Sequence, residues 1–496
     1  MNLLLAIILA GCHRFDRTPM EGCGSRAVVS TVPASALCPT APGWTTRRLF
    51  TDSNPALAQW LEPRPERLHR YCHHTRSGTG PLTVGEMAPL QAALDARDLA
   101  SGQDCSAQVR PNGLDDPRVD EALIAAFHHA IDLPDPSVMD GIARAPVEIA
   151  ILDTASEETA AASTIVLNRS HGLMMREIVE EIACLDDTPP CLGAIRSAVA
   201  MPRHDGMMDW AEGGRSGTAL DLATAIVAAV GRWRSRSRAA PGSVPQRLIL
   251  SLSLGWPEDP NRPASPATAV LEDALAFAAC NGALVITASG NTARDGSGTG
   301  PLTPARYQSA PAPNAETCVA LGFAPLRSHL PIDGGVRPLV VAVGGVDAHD
   351  RTLYNARPGS QPPLVAFAEQ TIARPSDGDA RRIPLTGTSV SAAVASGAAG
   401  LLWSIEPSLT PDAVIERLYT SGWDVGRVAE VDLPGPPRRS HRIAICPALA
   451  TLRPDAARCE ASPVPDGGFL APVGRAIQQA LADDPNVHRI DATREE

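Results

Sequence analysis

The sequence contains no lysine; all 43 of its basic residues are arginine. Such a bias reflects GC-rich coding more than an activity. Aromatic side chains make up only 4% of the 496 residues, so a core must be built from Ala, Val, Leu and Ile. Positive charge is also short: 55 acidic residues against 43 basic ones leave a formal charge of −12. An acidic chain does not draw nucleic acid by its overall field, and no nucleic-acid partner is expected. The one basic run, "GRWRSRSR" from Gly231, is expected to be a solvated loop. Internal repeats, Cys-x-x-Cys pairs and acidic clusters that would define a calcium site are all lacking. The pairs His73–His74 and His128–His129 have no ligand spacing around them. No metal site is therefore assigned and no cofactor is required, with structural calcium left open.

What remains is a globular composition, 44% hydrophobic and 20% charged, in a chain long enough for two or three domains. It opens on "MNLLLAIILAGCHRF". The apolar run is too short to span a bilayer and too apolar for an exposed start, which fits a secretory h-region. "LAGC" resembles a bacterial lipobox, although no Arg or Lys precedes the run. That resemblance implies a signal peptide over 1–11 and a lipid on Cys12. It also implies export to the cell envelope (outer membrane or periplasm), or secretion after processing. Of the eleven cysteines, ten remain once Cys12 is set aside, an even set suited to an oxidising compartment. The simplest expectation is neighbour pairing: Cys23–Cys38, Cys72–Cys105, Cys184–Cys191, Cys280–Cys318 and Cys446–Cys459.

Residues 12–145 are rich in Pro and Arg and show few strand signals. Two helices are expected there, "PLQAALDARDLA" and "RVDEALIAAFHHAI". From "PVEIAILD" the texture changes. The apolar runs "VEIAILD", "STIVLN", "RLILSLSLG", "ALVITASGN" and "PLVVAVGGV" alternate with the helical stretches "GLMMREIVEEIACL", "TALDLATAIVAAVGRW" and "ATAVLEDALAFAACNG". Strands buried on both faces read as continuous apolar runs, and helices between them mark βαβ units. The expected fold is α/β, an open and mostly parallel sheet with helices on both faces, beside a disulfide-containing N-terminal region. The helix "SLTPDAVIERLYTSG" follows, with Ser408 or Thr410 as its N-cap and Pro411 in its first turn. Beyond about 425, "PGPPRRSHR" is expected to be a linker to a C-terminal tail, 426–496.

In open α/β sheets, reactive groups gather beyond the carboxyl ends of strands. Asp153 ends "VEIAILD", His171 opens the helix after "STIVLNRS", Asn291 ends "ALVITASGN", and Ser389 opens the helix "SVSAAVASGAAGLLW". A serine hydroxyl is a weak nucleophile and needs a base in hydrogen-bond reach. Imidazole has the pKa for that, and returns the proton to the leaving group. A carboxylate fixes the imidazole tautomer, and an amide can donate to a developing oxyanion. A helix start adds backbone N–H donors beside Ser389.

On these residues the chain resembles the subtilisin-like serine proteases (subtilases). The order Asp, His, Asn, Ser is theirs. "AILDTA", "SHGLM", "TASGN" and "GTSVSA" are similar to their aspartate, histidine, asparagine and serine motifs. The resemblance covers about 146–425. It implies a triad of Asp153, His171 and Ser389 with Asn291 in the oxyanion hole. It further implies a substrate-binding strand at Ser253, Leu254 and Gly255, faced by Ala288, Ser289 and Gly290, and a pocket base in "RDGSGTGPLTPARYQSAPAPN". Departures are visible: Ala155 and Ser170 stand where the family has Gly, Leu173 where it has Thr, and Ala393 where it has Pro.

The function implied is that of an exported, monomeric serine endopeptidase acting on polypeptides through an acyl-enzyme, and held at a membrane by its lipid. A catalytically weak or inactive surface-binding lipoprotein is the alternative. An esterase is disfavoured, because "GTSVS" lacks the second Gly of Gly-x-Ser-x-Gly. Residues 12–145 would be a permanent spacer, or else the propeptide that the family commonly removes; their cysteines favour the spacer.

Overall fold

The computed structural model describes residues 26–50, 67–78, 82–97, 101–103, 106–108, 117–156, 170–185, 194–204, 207–209, 213–239, 247–258, 266–292, 298–323, 337–374, 382–431, 437–453 and 462–476. Its N-terminal part holds more strand than the sequence suggests. β1 (Ala27–Thr31), β2 (Thr45–Arg48) and β3 (Tyr71–Thr75) are followed by helix α1 (Val84–Asp95) and β4 (Ser101–Gln103). The four strands pair antiparallel in the order β2–β3–β1–β4. These runs show little apolar alternation; what joins them is non-local. The His74 ring bridges Ser30 Oγ at 2.8 Å and Thr46 Oγ1 at 2.9 Å, one neighbour on each side. Helix α1 begins before "PLQAALDARDLA", because Thr83 and Glu86 form a reciprocal capping box at its start.

Cysteine pairing follows this sheet rather than sequence order. Cys38 lies between β1 and β2, and Cys72 lies on β3, which pairs with both. The two are bonded to each other, so neither Cys23–Cys38 nor Cys72–Cys105 forms. Cys280–Cys318 forms as expected. Cys184 and Cys446 are also disulfide-bonded, to partners beyond the described residues. Cys12, Cys23, Cys105, Cys191 and Cys459 lie outside the described residues.

After β5 (Ser106–Gln108) and α2 (Pro117–Ala130) the large sheet begins with β6 (Val147–Asp153). The chain continues through α3 (Ser170–Ala183), β7 (Ala194–Val199), β8 (Arg203–His204), β9 (Met207–Met208), β10 (Ser216–Thr218), α4 (Ala219–Ala239) and β11 (Arg247–Leu252). Next come α5 (Pro266–Cys280), β12 (Leu284–Ala288), α6 (Ala315–Ala320), β13 (Val341–Val346), β14 (Leu364–Phe367), β15 (Thr371–Ala373) and β16 (Ile383–Leu385). The last elements are α7 (Thr388–Ile405), α8 (Pro411–Thr420), β17 (Trp423–Val428), β18 (Arg439–Arg442) and α9 (Ile445–Ala450). Eight strands form one sheet in the order β17–β18–β14–β13–β12–β11–β6–β7, parallel except at β17–β18. This is the fold the sequence predicts. Strands β17 and β18 extend the sheet past residue 425, and β18 takes the end of "PGPPRRSHR". The run "STIVLN" lies outside the described residues.

Period-two alternation divides the core. Ile149, Ile151, Ile249 and Ile286 face α3 and α7, whereas Ala150, Leu152, Leu250 and Val285 face α4 and α5. Helix α7 is long and apolar enough to cross a membrane, yet 94% of it is buried in the fold. Its small residues permit that position: a Cβ on Gly397 would lie 2.9 Å from Ile182 Cβ of α3. Thr410 is the N-cap of α8, accepting from Ala413 N at 3.2 Å, with Pro411 at its first position.

"GRWRSRSR" is not a loop. Helix α4 continues through it, because Trp233 reaches the core and Arg236 pairs with Glu148 of β6. A second buried charge holds the far end of the fold. Arg442 is fully buried, pairs with Asp350 at 2.8 Å, lies 3.9 Å from Asp132, and donates to the carbonyls of Ala130 and Ser462. Ser462 N in turn donates to Asp132 at 3.1 Å.

Candidate active site

Asp153 is the last residue of β6, at the carboxyl edge of the sheet, and is buried. One carboxylate oxygen, Oδ1, accepts from Thr154 N at 2.7 Å and is 2.8 Å from His171 Nδ1. The other, Oδ2, has no hydrogen-bond partner among the described residues. His171 is the second residue of α3 and is buried. Thr154 ties the two elements together: its hydroxyl accepts from Gly172 N at 2.9 Å, in the first turn of α3. The approach is close, since a Cβ on Gly172 would come within 3.1 Å of Asp153 Cβ and of the backbone nitrogens of Thr154 and Ala155. A carboxylate on Nδ1 leaves Nε2 as the ring nitrogen free to exchange a proton.

Ser389 lies in the first turn of α7, at the end of the helix where backbone N–H groups are unpaired. Its hydroxyl donates to Ser253 O at 3.0 Å, and the Ser253 hydroxyl donates back to Ser389 O at 2.8 Å. Ser389 makes no hydrogen bond to His171 in this conformation. The expected substrate strand and the expected nucleophile are therefore in direct contact.

Asn291 follows β12 and bridges to Ala356. Its Oδ1 accepts from Thr388 N at 3.1 Å and from the Thr388 hydroxyl at 3.2 Å. The same hydroxyl accepts from Gly290 N at 3.1 Å. One proton and two neighbours fix the direction: Gly290 donates to Thr388, so Thr388 donates to Asn291. The Asn291 amide is thereby held by its oxygen, leaving Nδ2 toward Gly387, where an added Cβ would lie 2.8 Å away.

Of the expected wall residues, Leu254 and Ala288 bury their side chains in the two halves of the core, so only their backbone faces the site. Ser289 N donates to Val343 O at 3.0 Å and its hydroxyl is buried without a partner among the described residues. The structure thus brings Asp153 to His171, and Ser389 to Ser253 and the Asn291–Thr388 pair. Thr154 and Thr388 were missed in the sequence although each adjoins a residue singled out there, because a hydroxyl that links two backbone segments leaves no periodic signal. Leu302, which lies against Gly255 and Gly290, was hidden in a loop of Gly, Thr and Pro.

With this geometry in place, one comparison bears on the chain directly. Residues 206–434 match the model of the Subtilase family. The match takes in Asn291 and Ser389 and begins beyond Asp153 and His171. No curated protein matches the sequence. Among solved structures, the chain is similar to the prenylagaramide maturation protease PagA at 18% identity, over 68% of this chain and 99% of that one, with a TM-score of 0.39. A mutant of the protease domain of PatA gives 20% identity, 64% and 98% coverage and a TM-score of 0.40. The subtilase cytotoxin SubAB gives 17%, 67% and 97%, also with a TM-score of 0.40. The matched residues carry β11, β12, β13, β14 and β17 of the large sheet.

Proposed function

We propose that the chain is a serine endopeptidase that cleaves polypeptides through an acyl-enzyme. The observation that carries this reading is the buried Asp153–His171 pair, 2.8 Å apart at the carboxyl edge of the sheet. In this reading Asp153 holds His171 with Nε2 as the base, and Ser389 attacks the peptide carbonyl. Asn291 Nδ2 and the first N–H groups of α7 receive the charge that builds on the carbonyl oxygen. His171 then returns the proton to the leaving amine, and water repeats the cycle on the acyl-enzyme. Before attack the Ser389 side chain must rotate from Ser253 O toward His171. The reaction needs no metal or cofactor.

A second reading, an inactive or weakly active surface-binding protein, is favoured by one observation: the Ser389 hydroxyl is engaged with Ser253 rather than with His171. A fluorophosphonate probe separates the two. Labelling at Ser389 that is lost in His171→Ala supports the peptidase; a folded protein that stays unlabelled supports the binder.

Export with a lipid on Cys12 belongs to the same proposal. It is supported by the bonded cysteines Cys38, Cys72, Cys184, Cys280, Cys318 and Cys446, which suit an oxidising compartment. The N-terminal region is proposed as a retained spacer. Cys38–Cys72 closes within it, and the contacts of Tyr71 and Arg67 with Asp273 dock it on α5.

A further inference from the structure

The carboxyl ends of β11 and β12 are neighbours, and the segments 253–255 and 288–291 at those ends reach Ser389 and Thr388. This is where open α/β sheets accept ligands. Leu302 packs against both segments. A Cβ on Gly290 would lie 2.5 Å from Leu302 Cγ and 2.9 Å from Cδ1; a Cβ on Gly255 would lie 2.9 Å from Leu302 Cβ and 3.2 Å from Cδ1. One isobutyl group therefore occupies the space left by two bare walls. Leu302 is half-buried and belongs to neither large core cluster.

The backbone that carries this side chain is also held in place. Leu302 N donates to Ser289 O at 3.0 Å, and Thr303 exchanges backbone bonds with Trp256 at 2.9 and 3.0 Å. The preceding turn is clamped by buried Arg357, which donates to Gly300 O at 2.9 Å and Thr299 O at 3.1 Å. An incoming side chain cannot move the backbone at Leu302 without breaking these bonds, so only the leucine's rotamer can yield.

We propose that Leu302 is the specificity-determining residue of the pocket for the acyl-side residue, the one whose carbonyl is attacked, and that it limits that residue to Gly, Ala or Ser. The inference rests on the peptidase reading and adds a substrate class to it. A filled apolar pocket penalises bulk, and each methylene there changes kcat/KM by roughly 10- to 200-fold.

The test is a series of peptide arylamides that differ only in the acyl residue, Ala, Ser, Leu or Phe, hydrolysed by wild type, Leu302→Ala and Leu302→Val. Wild type is expected to favour Ala over Phe by at least about 100-fold. Leu302→Ala is expected to raise kcat/KM for Phe, and the Phe-to-Ala ratio with it, by at least about tenfold. Leu302→Val should shift the ratio the same way by less, and serves if the alanine variant does not fold. A wild-type preference for Leu or Phe overturns the pocket assignment alone. So does an unchanged ratio in the folded variants, or a probe-reactive enzyme that cleaves none of the small-residue substrates. A folded wild type that neither cleaves any substrate nor takes a fluorophosphonate at Ser389 overturns the peptidase reading, and the assignment with it.

Discussion

The Thr388 hydroxyl sits between Gly290 N and Asn291 Oδ1, accepting from one at 3.1 Å and donating to the other at 3.2 Å. It therefore sets which end of the Asn291 amide is left to donate. Asn291→Ala should lower kcat by about 10²- to 10³-fold, the cost of losing one oxyanion donor. Thr388→Val should lower kcat by a smaller factor with KM little changed, because it removes one of the two bonds on the amide oxygen and keeps the one from Thr388 N. Steady-state kinetics on one peptide substrate measures both.

Ser389→Ala should abolish peptide hydrolysis and leave the melting temperature unchanged, since the hydroxyl contributes one bond to Ser253 and no core packing. Casein cleavage by the variant at the wild-type rate would refute the assignment of Ser389 as nucleophile.

The N-terminal sheet docks on α5 through a buried polar contact: the Tyr71 hydroxyl and Arg67 both bond to Asp273. Burial, and then the Asp273 charge, pushes the Tyr71 phenol well above its usual range, so it stays a donor. Tyr71→Phe leaves a buried carboxylate oxygen short of its partner and should cost about 1–3 kcal/mol. Amide exchange in β1, β3 and α5 should quicken together in the variant.

Acid should weaken the same region. Burial lowers the pKa of His73 and His74 from 6.5 to about 3, with Arg203 and Arg47 adding to the effect on His73 and His73 to that on His74. Both are neutral when folded. The unfolded chain binds more protons between those values, so the stabilisation is full above about pH 6.5 and is lost as pH falls toward 3. At pH 5 the loss is about 2 kcal/mol for one such histidine. Denaturant titrations at pH 7 and pH 5 should show the drop, and it should shrink in His74→Gln.

Cys38–Cys72 closes a loop of separation 34. Replacing both cysteines by serine should cost about 4 kcal/mol by the loop-entropy relation. Urea denaturation of the double variant measures the loss.

The central sheet was legible because runs such as "VEIAILD" are apolar at every position, and the helices between them have an apolar stripe. The sites at strand ends and helix starts followed from that placement, and Asp153 and His171 do meet. The N-terminal sheet was not legible: its strands are short, and it is joined by His74, by a disulfide that skips sequence neighbours, and by docking on α5. The arginine run was misread as a loop because its charges suggested solvent, whereas Trp233 and the Glu148–Arg236 pair hold it as helix. Leu302 could not be found from sequence, since only the folded chain brings it between two glycines more than thirty positions apart.

The buried Arg442 cluster bears on the order in which this molecule can come into being. Asp132 and Asp350 emerge from the ribosome long before their guanidinium, and a buried carboxylate without its counter-charge opposes folding. Ser462, which caps Asp132, comes later still. The far end of the large sheet is thus matched in charge only once Arg442 of β18 is in place.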